Sequence, residues 1–203
     1  MAAIVPPQQG NVAICDTTNT YTLKINSDGS LNVQPAGGLK TTYAATSLAL
    51  ASAASCTDLW TLTGSATKTV KISRVEIGGE ATTAASAQIV LLKRSVANLT
   101  GTSSAPTIVP YDSADAAATA TPLAYTANPG TLGTLVGNIR TGYVFLAAPA
   151  TATVGPEKFI VDFGSRQGQE IVLRGIAEVF AINLNAVTIT GGAFDITVEW
   201  TEE

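Results

Sequence analysis

From Phe194 to Trp200 the chain alternates strictly, with Phe194, Ile196, Val198 and Trp200 apolar and Asp195, Thr197 and Glu199 polar. A period of two sends the two sets to opposite faces of an extended strand, so this segment predicts a strand with one buried side. Shorter stretches of the same kind recur at Leu59-Trp60-Thr61-Leu62, Gln88 to Val96, Tyr143 to Leu146, Lys158 to Phe163, Ile171 to Leu173 and Ile176 to Leu184. Gly155-Pro156, Gly164 to Gly168 and Gly175 punctuate them as turns. No segment sustains the 3.6-residue apolar period of an amphipathic helix. Roughly ten short strands separated by turn signals predict an all-β fold, and a jelly-roll-like β-sandwich with a short extended N-terminal arm is the natural candidate.

Finer features refine that expectation. Between Thr69 and Ile77 the apolar positions move from Val70 and Ile72 to Val75 and Ile77, a parity change that predicts a β-bulge around Ser73-Arg74. Gln88 to Val96 opens with a continuous apolar run, which predicts a strand buried on both faces. Residues 97–142 read as a long loop-rich surface section. In the first 40 residues, Tyr21, Leu23 and Ile25, the turn 26–30 (NSDGS), then Leu31 and Val33 predict a hairpin. NSDGS also resembles half a calcium loop, but the later acidic ligands do not follow. Residues 41–57 are rich in Ala, Ser and Thr, which pull toward helix and strand alike. The expected organisation is therefore residues 1–58 as an attachment or oligomerisation arm and linker, and residues 59–203 as the sandwich.

Composition excludes several functions. Only 13% of the 203 residues are charged, 46% are hydrophobic, and 11 basic against 15 acidic residues leave a net charge of −4. No basic patch is available to displace counterions from a phosphate backbone, so no nucleic-acid partner is expected. The N-terminus lacks the pattern of a secretory signal, and the signal-like run Ser47 to Ser55 is internal and reads as fold. No membrane partner is expected, because no run reaches the roughly 18 apolar residues of a spanning helix. Cys15 and Cys56 lack metal-type spacing and read either as free thiols or as one bridge.

Histidine is absent, which removes the commonest general base and the commonest transition-metal ligand. None of Lys24, Lys40, Lys68, Lys71, Lys93 and Lys158 stands in a Ser-x-x-Lys pattern. Asp112 and Asp115 lie in a Ser/Ala stretch without the rigid separation that glycosidase carboxylates need, and read as solvated loop acids. Gly130, Gly133 and Gly137 follow Pro129 rather than a buried parallel strand and read as turn glycines. Asn98-Leu99-Thr100 is formally a glycosylation acceptor, which carries weight only in a secretory context that nothing here supports. Arg140, Arg166 and Arg174 are candidates for buried ion pairs, Arg174 with Glu170, Glu178 or Asp162; an outward-facing side chain is the alternative. Trp60, Trp200, Phe194 and Tyr143 could form a sugar platform, although alternation with acids makes the Trp200 strand look like core or subunit interface. The chain is read as a non-enzyme, with no catalytic, metal or cofactor-binding residue assigned and no cofactor expected.

Three blocks, VKISRVEIGGEATTAASAQIVLLKRS, GTSSAPTIVPYDSADAAATATPLAYTANPGTLGTLVG and DFGSRQGQEIVLRGIAEVFAINLNAV with the ending FDITVEW, resemble a group of small tailed-phage virion proteins. The resemblance covers roughly two-thirds of the chain, from about Lys68 onward. It implies a β-sandwich virion component and transfers no active-site residue. The preceding segment NVAICDTTNTYTLKINSDGSLNVQP resembles the polar starts by which phage accessory proteins attach to a capsid or tail.

The expectation that follows is a capsid decoration or cement protein, self-associated as a homotrimer and bound to the major capsid protein or another virion protein, in a virion assembled in the bacterial cytoplasm. A tail, baseplate or head-fibre component is the alternative within that class. Outside it stand a carbohydrate-binding module, which requires Tyr111, Tyr125 and Tyr143 to share one exposed face for a host-surface glycan, and a metal-carboxylate hydrolase built on Asp112, Asp115, Asp162 or Asp195.

Overall fold

The computed structural model describes residues 40–149, 157–164 and 169–203, together with the backbone of 12–15 and 20–23. The chain forms two compact units, Met1–Leu39 and Lys40–Glu203. In the first, β1 (Val12–Cys15) pairs antiparallel with β2 (Thr20–Leu23). Tyr21 and Leu23 pair with Ile14 and Val12, and the remainder of the predicted hairpin, the NSDGS turn with Leu31 and Val33, lies outside the described residues.

The second unit begins at Lys40, not near residue 59. Thr42–Ala51 forms β3, and Cys56–Thr63 forms β4. The ambiguous Ala/Ser/Thr segment is a strand because its alternate residues Tyr43 and Ala45 fall on the core side, where a paired neighbour can satisfy the backbone. The remaining long strands are β5 (Thr69–Glu80), β6 (Ala85–Arg94), β10 (Leu135–Leu146), β13 (Val179–Val187) and β14 (Ala193–Glu202). Short ones are β7 (Ser103–Ser104), β8 (Ile108–Pro110), β9 (Thr121–Tyr125), β11 (Phe159–Asp162) and β12 (Ile171–Arg174).

These strands make two antiparallel sheets, one ordered β10-β6-β13-β4-β9-β7 and the other β11-β5-β14-β3-β8, with β12 also on β5. Setting aside the short β7, β8, β9 and β12, the first strand pairs with the last (β3 with β14), the second with the second-last (β4 with β13), the third with the third-last (β5 with β11) and the middle two with each other (β6 with β10). That nesting is the jelly roll, and the sequence expectation of a β-sandwich holds. Among the described residues no helix is long and apolar enough to cross a membrane.

The core lies between the sheets. Trp60, Leu62, Ile89, Leu91, Phe180 and Ile182 from one meet Tyr43, Ile72, Ile77, Phe194, Ile196 and Trp200 from the other, all fully buried. Tyr43 and Trp200 stack with ring centroids 6.0 Å apart, and the Tyr43 hydroxyl donates to the Ala116 carbonyl at 2.7 Å. The predicted bulge is present: Glu199 of β14 opposes Arg74, but Trp200 opposes Ile72, so Ser73 is the extra residue. The double-sided apolar run in β6 also holds, since Ile89 and Leu91 enter the main core while Val90 and Leu92 form a second cluster with Ala181. The section 97–142 departs from expectation, because Leu135–Leu146 is one continuous strand. Register shifts between Leu135 and Gly137 and between Asn138 and Arg140 leave Val136 and Ile139 as the extra residues, while Gly137, which had read as a turn glycine, lies in the ladder opposite Lys93.

Where β5 passes β14, Gly79 has φ 143°, and a β-carbon there would lie 2.2 Å from the Ala193 carbonyl oxygen. Neither the conformation nor the space admits a side chain. Replacement of Gly79 by Ala is therefore expected to lower the unfolding free energy by more than about 2 kcal/mol, measured by urea denaturation.

Candidate functional site

Most of the charged and polar residues singled out in the sequence are dispersed. Asp112 is an exposed loop acid whose Oδ1 accepts the Ala114 N–H at 2.9 Å, closing a local turn in the segment that also holds Asp115. Asp162 lies in β11, facing Arg74 at 3.4 Å, and Asp195 lies in β14. Among the described residues no three His, Cys, Asp or Glu side chains are grouped to hold a metal ion, so the four aspartates do not form the constellation that a metal-carboxylate hydrolase needs. Arg174 takes the outward alternative: it is exposed, its guanidinium donates to the Thr69 hydroxyl at 3.4 Å, and Glu178 pairs with Lys93 at 2.9 Å instead. Arg140 is also exposed, and Arg166 lies outside the described residues.

The aromatic candidates divide by burial. Trp60, Trp200 and Phe194 are core residues, while Tyr143 is exposed on β10. Tyr125 is buried, and Tyr111 follows β8 in one sheet whereas Tyr143 belongs to the other. The shared sugar-stacking face required by a carbohydrate-binding reading does not form. Cys56 is a free thiol, and burial pushes its pKa up to about 11, which makes it a core residue rather than a nucleophile.

Two buried polar nodes escaped the sequence reading. On the outer side of the first sheet, Asp58 of β4 and Arg94 of β6 reach across β13, with Nε to Oδ2 at 2.7 Å and Nη2 to Oδ1 at 2.8 Å. Asn98 donates to Oδ2 at 2.8 Å and Asn183 to Oδ1 at 2.7 Å. Arg94 also donates to the Gly133 carbonyl at 2.8 Å, and the Gly133 N–H donates to Asn98 Oδ1 at 2.9 Å. Asn98 is thereby committed at both ends of its amide, which leaves it no role as a glycan acceptor. The available signal was parity: Arg94 continues the face of Val90 and Leu92, a covered face, so it needed a carboxylate.

The second node is Glu202. Its side chain is fully buried and accepts the N–H groups of Thr119 and Ala120, each at 2.9 Å, the Thr119 hydroxyl at 2.7 Å and the Trp200 indole N–H at 3.2 Å, with Lys68 at 3.7 Å. Burial pushes its pKa up, but the Ala120 and Thr119 hydrogen bonds outweigh burial and hold it below the ordinary carboxylate value. This node ties the β8–β9 connection to the last strand. Both nodes are structural: each carboxylate is fully buried and surrounded by donors of its own chain.

The surface features that remain free lie at an edge and a face. On β10, Leu135 is 52% exposed, Val136 61%, Ile139 40% and Tyr143 66%, and Arg140 is the strand's only charged residue. On the outer face of the second sheet a concavity of about 340 Å³ is lined by Glu76, Glu80, Asp195, Lys158, Thr46 and Thr197, among others. It adjoins a bulge in β3, where the register passes from Leu50 opposite Phe194 to Ser47 opposite Ile196. Ala49 there adopts φ 48°, a left-handed conformation costing about 1–2 kcal/mol for a non-glycine residue, and Asp195 Oδ1 accepts its N–H at 2.8 Å. The bulge turns Leu48 out to 79% exposure.

Comparison of the chain with protein-family models, with curated proteins and with solved structures gives no match in any of the three.

Two predictions follow from the nodes. Asp58→Ala leaves the Arg94 guanidinium buried and unpaired and is expected to cost about 3–5 kcal/mol, whereas Asp58→Leu combined with Arg94→Met, which removes both charges, costs much less; chemical denaturation of the three proteins measures the difference. Because the folded-state pKa of Glu202 is depressed, its contribution is complete above the unfolded value near 4.5 and is lost as the pH falls through the folded value. Glu202→Gln is therefore expected to lower the melting temperature at pH 7 and to flatten its decline below pH 4.5, read from thermal scans between neutral and acid pH.

Proposed function

We propose that this chain is a non-enzymatic structural protein of a bacteriophage virion, a capsid decoration or cement protein that self-associates and binds the capsid surface. A tail, baseplate or head-fibre position is the alternative within the same class. The resemblance of the segment from about Lys68 onward points to the virion. One structural observation carries the associative half of the reading, namely the treatment of the sheet edges.

Sheets normally protect their edges by brevity, proline or charge, because unpaired N–H and C=O groups recruit other chains. Three edges of this sandwich follow that practice: β7 has 2 residues, β8 has 3 and ends in Pro110, and β11 has 4 and ends in Asp162. β10 uses none of these and is interrupted only by two bulges: it has 12 residues, no proline, one arginine and a row of exposed apolar side chains. Such a surface in a chain of 13% charge is suited to burial in an assembly.

Light scattering of the purified full chain, followed by co-sedimentation with isolated phage heads and tails, tests this. Expected are a closed oligomer and saturable binding to heads at a fixed copy number. Replacing Leu135, Val136 and Ile139 together by Ser should reduce the oligomer to monomer while leaving the melting temperature within about 4 °C. A wild-type chain that stays monomeric at every concentration and sediments with neither heads nor tails would overturn the reading.

A further inference from the structure

We propose that Arg140, on the open edge of β10, docks into the concavity beside the β3 bulge of a second copy of this chain, facing Glu80, so that copies join head to tail. The inference rests on the self-association reading above and names the two surfaces that meet.

The argument begins with charge pairing. Lys40, Lys68, Lys71, Arg74, Lys93, Arg94 and Lys158 each lie within 4.0 Å of a carboxylate of their own chain, and Arg174 donates to Thr69. Arg140 is the one cation among the described residues left without a partner. It stands on an exposed strand next to Ile139 and near Leu135 and Val136. In the concavity, Glu76 is held by Lys158 and Arg74, and Asp195 by the Ala49 N–H. Glu80 is exposed and makes no side-chain hydrogen bond or ion pair within the described residues. Three carboxylates against one ammonium leave the lining negative, and Leu48 supplies an apolar neighbour for the residues flanking Arg140. A guanidinium set among apolar residues thus has its complement on the same molecule.

Within one copy the two surfaces lie apart, since Glu80 bridges Ala147, just past β10, and Arg140 stands further back along that strand, roughly 20 Å away at about 3.3 Å per residue. Arg140 belongs to the edge of the first sheet, and the concavity lies on the outer face of the second. Pairing therefore runs between copies through two different patches, and such a contact, repeated with a closing rotation, gives a ring in which each copy gives one Arg140 and receives one. Side chains rather than backbone make the contact, because the register shifts at Leu135/Gly137 and Asn138/Arg140 interrupt the regular ladder that strand addition would extend.

The test is a charge swap followed by light scattering and sedimentation equilibrium on the full chain. Glu80→Lys and Arg140→Glu should each weaken association by about tenfold or more, and the double variant should recover most of the loss. Unchanged melting temperatures of the single variants establish that the fold is intact, which their exposed positions lead one to expect. If the wild type associates and the single variants match it, the docking is wrong although self-association stands. The same holds if the double variant stays as weak as the singles, because the two residues then act separately. A wild type that remains monomeric removes both readings at once.

Discussion

The Asp58 carboxylate gathers side chains from three neighbouring strands, β4, β13 and β6, and from the segment that follows β6. It is an acid buried on the outer side of a sheet, where a charge without partners would cost several kcal/mol, and four donors surround it. Those donors come from β6, from β13 and from the segment after β6, so the node fixes the long β6–β10 connection onto the sheet it covers. Val90, Leu92 and Ala181 form a buried cluster of their own, apart from the main core, so β6 is apolar on both faces. The carboxylate anchors the start and the end of that connection, at Asn98 and through Arg94 at Gly133, while its short strands β7, β8 and β9 pair with the sheets in between.

Glu202 does the equivalent work at the other side of the fold. The connection from β8 to β9 carries the chain from one sheet to the other, and Thr119 and Ala120 within it spend their N–H groups on this one carboxylate. A chain with few charges has placed two of its acids where each organises a crossing. Most of its other ionic groups pair at the sheet surface, as in Lys71 with Glu203 and Lys158 with Glu76, where an exposed pair adds about 0–1 kcal/mol. The economy of charge thus concentrates electrostatic stabilisation at two points and leaves the outer surfaces weakly hydrated.

The sequence made the strands legible wherever one rule acted alone. Phe194 to Trp200 alternates because one face is core, and the parity change placed a bulge around Ser73-Arg74, where Ser73 is the extra residue, since register and side-chain direction are the same variable in a strand. Legibility failed where local and tertiary preferences conflict. Thr42–Ala51 looked indeterminate because Ala-rich composition favours helix, yet pairing with β14 and burial of Tyr43 decide the matter. Gly137 looked like a turn because glycine usually punctuates, whereas it lies within β10, and Gly142 of the same strand leaves room for the Phe159 ring, 2.3 Å from where a β-carbon would stand. The buried nodes were invisible for a further reason: Asp58 lies 36 residues from Arg94 and 125 from Asn183, and nothing local distinguishes a paired acid from a solvated one.

The exposed edge of β10 and the strained bulge of β3 share a physical character that sets them apart from the rest of the molecule. Each accepts a local cost that the fold itself does not require: solvent contact for Val136 and Tyr143 in one case, a left-handed alanine and a solvent-facing Leu48 in the other. In the docking proposed above, the two sites would offset each other in charge and in apolar character. The bulges within β10 then have a clear use. They twist the strand out of register for open-ended sheet extension, so the edge is barred from indiscriminate pairing while its side chains stay available for a contact of fixed geometry.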